Sequence, residues 1–452
     1  IFFRAMSDTG ISGQTIILGL GGLFAAAYVL SELNYRRQST LPCREAVRKL
    51  RKDPKKDGAT IEQGLTSLAR LMDDDRNGDL GAKALIIDNA LGCIVEIIAA
   101  KNCLDTYSKG VISMALKLVH KCSDEAAGRT KAAYAGIVPA LLRLLADMSH
   151  IRKDTPADNK LMEDIASALA AVATVDSKKV ILEGDIPEGS EAAIRLLRSN
   201  NLKKILDMVS YDARSTTYMQ CLTKCFANIS QLEEGVTRMR DAGAIAAMLP
   251  LLQKPVLDVK ENALFVIRNL VKRDAKARTE FFDADAAQVL APFLAPQHQK
   301  HVKIMEHTLH IFGDLLFRGK PAETQKFEDN MKELNMFEIL AACMGKDLPR
   351  ATRDLTEEVI RIALDANKKD GKEHELDDKP WIKDPLKEHA IAISKRKKAD
   401  QEEQRRRVQE AQKQEQMMQM MAMQQMMGGG EPGMEEMMSM MGGMGGMGYG
   451  DM

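Results

Sequence analysis

The stretch Asp241-Ala242-Gly243-Ala244-Ile245-Ala246-Ala247-Met248-Leu249-Pro250-Leu251-Leu252-Gln253-Lys254-Pro255, continuing through Glu261-Asn262-Ala263-Leu264-Phe265-Val266-Ile267-Arg268-Asn269-Leu270-Val271, decides the fold. A glycine opens one apolar helix, the Lys254-Pro255 break ends it, and a longer amphipathic helix carrying an Asn follows. One such pair cannot bury its own apolar face, so pairs must stack, and stacking predicts an all-α solenoid with an extended surface suited to binding rather than catalysis.

Copies with drift lie on both sides. Upstream, Gly136 to Leu145 repeats the first helix and Ile165 to Val175 the second, while Asn201 to Val209 pairs with Tyr218 to Ile229, ending in Phe226-Ala227-Asn228-Ile229. Downstream, Ala286 to Leu294 pairs with Val302 to Leu316, ending in Phe312-Gly313-Asp314-Leu315-Leu316. Asn228 and Asn269 are 41 residues apart, and Asn269 and Asp314 are 45, within the roughly 40–47-residue period of helical solenoids. Leu85 to Ala99, Ser108 to Lys121 and Met336 to Ala363 have the helical period without the full motif. Residues 147–160 and 180–190 read as insertions because they hold Pro156, Pro187, Gly184 and Gly189 among charges. These repeats resemble the armadillo-repeat family over residues 59–365.

Composition fits such a scaffold. Aromatic residues make up only 4% of the chain, which suits helices packed through small and straight side chains. The 64 basic and 64 acidic residues cancel, so net charge points to no nucleic-acid partner. Seven cysteines without paired spacing suit a reducing compartment.

At the amino end, the 23 residues from Thr9 to Ser31 carry no charge, enough for a helix across a hydrocarbon layer of roughly 30 Å. Residues 9–33 are therefore expected to form a single transmembrane helix. Residues 34–58, with Arg36, Arg37, Arg44, Arg48, Lys49, Arg51, Lys52, Lys55 and Lys56, are expected to form a basic juxtamembrane linker that keeps the solenoid on the cytosolic or matrix side. Read from Met6, the short leader, moderate apolar span and basic flank resemble a mitochondrial outer-membrane signal anchor. Gly21 and Ala25, like Gly22 and Ala26, are small residues four apart, a spacing that lets a second membrane helix approach closely.

The carboxyl end changes character twice. Residues 366–385 read as a linker around Trp381, residues 386–427 as one charged, Met-rich helix, and residues 428–452 as a Gly/Met-rich low-complexity tail. Fifteen of the 28 methionines fall between Met417 and Met452, giving an adaptable apolar surface. Its end resembles the Gly-Gly-Met termini of chaperonins. The basic runs Lys395 to Lys398 and Arg405 to Arg407 suit anionic lipid or a solvated helix face.

No constellation for catalysis, metal or cofactor emerges. His298, His301, His307 and His310 lack the spacing of a zinc helix, and Cys221 and Cys225 read as helix packing. The armadillo resemblance instead implies a groove, in which the last helix of each repeat lines the concave face and an Asn ladder clamps an extended peptide. Asn228, Asn269 and Asp314 stand at the ladder position, with Lys224, Phe265 and His310 four residues earlier. That column lacks the Trp of nuclear-import receptors, so a basic import signal is not the expected ligand. The same amides could equally stitch adjacent helices together. The reading is a membrane-anchored scaffold or adaptor, not an enzyme, binding protein partners at a mitochondrial or other organelle membrane. The alternative is a co-chaperone of the armadillo-type exchange factors that serve heat-shock chaperones of the seventy-kilodalton class.

Overall fold

A computed structural model describes residues 41, 43–51, 58–73, 87, 90–149, 155–176, 187–209, 215–295, 298, 300–344, 348–368 and 380–427. Every regular element among them is helical. The opening helices are α1 (Gly58–Asp73), α2 (Leu91–Ala99), the single turn α3 (Cys103–Thr106) and α4 (Lys109–Cys122). Three-helix units follow. The first comprises α5 (Ala126–Tyr134), α6 (Ile137–Ser149) and α7 (Pro156–Val172). The second comprises α8 (Glu191–Leu197), α9 (Leu202–Val209) and α10 (Thr216–Ile229). In the third, α11 (Glu233–Asp241) leads to α12 (Ala244–Met248) and α13 (Leu257–Arg273). In the fourth, α14 (Ala275–Asp283) leads to α15 (Ala286–Leu290) and α16 (Val302–Arg318). The last holds α17 (Pro321–Glu333), α18 (Met336–Ala342) and α19 (Arg350–Lys368).

The unit therefore has three helices where the sequence suggested two. The long third helices α1, α4, α7, α10, α13, α16 and α19 each pack on the next, forming one continuous layer. Their cores are apolar: Leu264, Ile267 and Leu270 of α13 and Leu309, Phe312 and Leu315 of α16 are all 0% exposed. In the third and fourth units proline ends the second helix early. Pro250 and Pro292 have no N–H to donate, and the chain tightens into 3₁₀ turns over Leu249–Gln253 and Ala291–Leu294.

The glycine that opens the decisive stretch has a geometric reason. Gly243 sits at φ 82°, in the left-handed region, where the first helix turns into the second. Asp285 and Asn335 take the same conformation at the same turn of the next two units, at φ 54° and 52°. These are the non-glycine types that tolerate it best.

Capping sets several third-helix starts. Ser108 and Ser215 accept from the backbone N–H of Val111 and Tyr218, and Thr155 forms a capping box with Asp158. Pro156 occupies the first turn of α7, where its missing N–H costs nothing, so residues 155–160 belong to a repeat helix rather than to an insertion. Of the other expected insertion, residues 187–190 form a turn. Arg129, 1% exposed, holds this region in place: Nε donates to Gly189 O at 3.3 Å, Nη1 to Ser123 O at 3.0 Å, and Nη2 pairs with Asp176 at 2.7 Å.

Two boundaries differ from the sequence reading. Residues 43–51, expected within a basic linker, are helical and bury Ala46, Val47 and Leu50, because those residues share one helical face between the arginines. A separate carboxyl-terminal unit, from Asp378, contains α20 (Pro380–Met427), which starts ahead of the expected Leu386 and includes Trp381. Residues 398–420 of α20 are exposed all round. The apolar run Thr9 to Ser31, with Gly21, Gly22, Ala25 and Ala26, and the tail 428–452 lie outside the described residues. Among the described residues, no helix is long and apolar enough to cross a membrane.

The turn geometry is testable. A Cβ at Gly243 would meet nothing within 4 Å, so Gly243→Ala should cost the left-handed conformation alone, about 1–2 kcal/mol. Asp285→Gly should stabilise. Urea melts of the two variants are expected to move in opposite directions.

Candidate functional site: the face of the third helices

The ladder residues lie on the third helices, and the structure gives them different surroundings. Asn269 of α13 is 8% exposed, and its Nδ2 donates to Ser230 Oγ at the end of α10, at 2.8 Å. Asn228 of α10 is half-buried and donates to Ala170 O of α7 at 3.2 Å. Both amides thus reach back to the carboxyl end of the preceding third helix. Asn262 and Arg273 make the same backward reach, to Thr223 Oγ1 at 3.3 Å and Gln231 O at 2.7 Å. An amide serves this purpose because it supplies a donor without placing a charge between packed helices.

Asp314 of α16 is bound differently. It accepts from Arg318 Nε, one turn on, at 3.0 Å. Burial pushes its carboxyl above the usual range, opposed chiefly by Arg318. One turn earlier, burial and the nearby Arg268 hold His310 down at about 4.

Phe265 of α13 packs on His307 of α16, with ring centroids 5.1 Å apart at 55°. His307 is also held down to about 4, first by burial and then by Arg268. Arg268 Nη1 lies 3.3 Å from His307 Nδ1. A guanidinium can only donate, so Nδ1 accepts, and the proton of the neutral ring sits on Nε2. Lys224, on α10, is exposed.

His310 and Asp314 line a slot of about 390 Å³ that crosses three successive third helices. Its walls are Arg268 and Lys272 from α13, Leu309, Gly313, Phe317 and Arg318 from α16, and Leu355, Glu358, Val359 and Ile362 from α19. Phe317 is 73% exposed on the rim. The structure therefore brings His310 and Asp314 together in the slot, sets Phe265 against His307, and places Asn228 and Asn269 in contacts between helices. Arg268 and Phe317 escaped the sequence reading. The available signal was the column beside the ladder: Arg268 and His307 are one repeat, 39 residues, apart.

The slot holds acids, bases and one imidazole, but no nucleophile is set beside a base within its lining. Among the described residues, no group of three or more His, Cys, Asp or Glu could hold a metal ion. The arrangement can bind polar and apolar groups side by side.

Two outcomes follow from these contacts. Asn269→Ala removes a buried donor and should lower stability by about 1–3 kcal/mol in a chemical melt. Lys224→Ala, made as a control in the same melt, should change little. For the imidazoles, the sign comes from their depressed pKa: the unfolded chain binds protons near 6.5 while the folded face does not until about 4. Their contribution is complete above pH 6.5 and is lost as pH falls toward 4. The urea midpoint should fall between pH 7 and 5, above the titration of the carboxylates, and fall less in His307→Gln/His310→Gln.

No protein family matches the chain by sequence, and no curated protein does. Among solved structures, an engineered protein superposes with a TM-score of 0.56 at 14% identity, over 77% of each chain. A computationally designed armadillo repeat protein for modular peptide recognition gives 0.47 at 17% identity, covering 61% of this chain and 99% of its own. A designed armadillo repeat protein in complex with the peptide (KR)4 gives 0.46 at 17%, covering 61% and 98%. The first likeness is one of fold. The three-helix units themselves, repeating at about 40–47 residues with their third helices in one layer, are those of an armadillo-like α-solenoid among the described residues from 58 to 368.

Proposed function

We propose that the chain is a scaffold or adaptor that docks an extended segment of a partner protein on the face of its third helices. The observation that carries this is the slot across α13, α16 and α19, where the exposed Phe317 stands beside an apolar wall of Leu355, Val359 and Ile362. Designed proteins of this repeat type are described as built for peptide recognition, which supports the same use of the face. The reading includes no catalysis and no cofactor.

The uncharged run from Thr9 to Ser31 and the basic residues after it support an amino-terminal anchor in a membrane, with the solenoid on the cytosolic or matrix side. The resemblance of that segment to outer-membrane signal anchors favours a mitochondrial membrane. Gly21, Gly22, Ala25 and Ala26 would meet a second membrane helix, and the basic runs of α20 would meet anionic lipid.

Both parts have direct tests on the full chain in cells. A photoreactive residue at Phe317 should crosslink a partner, whereas one at Leu334, exposed in the turn between α17 and α18, should not. Equal crosslinking from both positions would overturn the docking face. Alkaline carbonate should leave the protein in the membrane pellet, and its release would overturn the anchor.

A further inference from the structure

Arg268 is the charged group in the slot whose position is least explained by the fold. It is half-buried, and burial lowers its pKa, which marks a guanidinium drawn away from water. Its hydrogen bond is to neutral His307, and among the described residues no carboxylate lies within ion-pair distance of it. Asp314, the nearest candidate in the slot, is held by Arg318. Lys272, one turn on from Arg268, is exposed and likewise has no ion pair among the described residues. Asp314 and Glu306 act on it only from beyond ion-pair distance, and a half-buried guanidinium with no carboxylate in contact forgoes hydration that one neutral imidazole cannot replace. A ligand carboxylate would supply the missing partner in bidentate geometry.

We infer that the slot recognises an acidic residue followed by a bulky apolar one in the partner segment, the carboxylate seated between Arg268 and Lys272 and the apolar side chain between Phe317 and Ile362. This names the ligand class of the docking face and rests on that reading. The two walls fix the orientation. The α13 wall is cationic, while α19 contributes Leu355, Val359 and Ile362 together with Glu358, which repels a carboxylate from that side. Gly313 opens the passage between them: a Cβ there would already touch Val359 at 3.6 Å. Basic segments are disfavoured because they would bring a further cation against a guanidinium that has no carboxylate in contact.

Short random peptides displayed on phage and selected on the full-length protein test this directly. The selected set should be enriched in Asp or Glu next to Leu, Ile or Phe. Single peptides from it should bind Arg268→Gln at least about tenfold more weakly, because a desolvated charge pair has lost one member. Lys272→Gln, at an exposed position, should weaken them without affecting folding, so a folding defect in Arg268→Gln would not obscure the result. Phe317→Ser should also weaken binding. A selected set that is basic or neutral and still needs Phe317 would overturn the inference while leaving the docking face standing. Peptides indifferent to all three substitutions, or no selected peptides, would overturn both.

Discussion

A third helix cannot be covered by its own repeat, and every other feature of the solenoid follows from that. In α13, Val259, Ala263, Leu264, Val266, Ile267, Leu270 and Val271 are all 0% exposed. That is a wider apolar band than one neighbouring helix can shield. It takes α10 on one side, α16 on the other, and the short helices of its own unit behind. Each unit is therefore stable only as part of the stack. Polar groups in this layer find partners either in their own helix, as Thr308 does with Ile304 O, or in the preceding one. Asn262, Asn269 and Arg273 take the second course through Thr223, Ser230 and Gln231.

What was legible in the sequence tracks how strongly each helix depends on that burial. The third helices announce themselves because their apolar residues recur every three or four positions over ten or more residues, and the second helices because they are short and densely apolar. The first helices do not. Of the nine residues in α11, only Gly235, Val236 and Met239 are buried, and Glu233, Glu234, Arg238 and Arg240 dominate the reading. Pro156 misled in the opposite direction: it looks like a breaker, yet at the first turn of α7 it is a starter. Residues 43–51 read as basic flank because Arg44, Arg48, Lys49 and Arg51 outnumber Ala46, Val47 and Leu50, although those three share one face.

The candidate site was legible as a column but not as a set of roles. Asn fits a peptide clamp and a helix stitch equally well, and only the neighbour decides. For Asn269 that neighbour is Ser230, which is itself fully buried and shared with Ala227 O. His310 and Asp314 were found because they occupy the same column where it opens into the slot. Arg268 was passed over because an arginine on an amphipathic helix reads as a solvated face. Its significance lies in a relation one repeat away, to His307, which no local pattern displays.

Arg268 and Asn269 are consecutive, about 100° apart around the helix, and this small rotation separates two roles. Asn269 turns toward α10 and holds the stack, while Arg268 turns toward α16 and the slot. A repeating clamp would need the same chemistry at each unit. The ladder instead reads Ala171, Asn228, Asn269, Asp314 and Ile362, and the column before it reads Ala170, Ala227, Arg268, Gly313 and Arg361. Only at the junction of α13 and α16 does a large cation stand beside a residue with no side chain. Arg361, the other large member, is already paired with Glu357 at 2.7 Å. The slot is therefore a feature of one junction rather than of every repeat. A stack whose units must be alike to pack can vary most where a side chain faces a gap between helices, and in α13 Arg268 stands at such a gap, touching α16 through His307 alone among its hydrogen-bond partners.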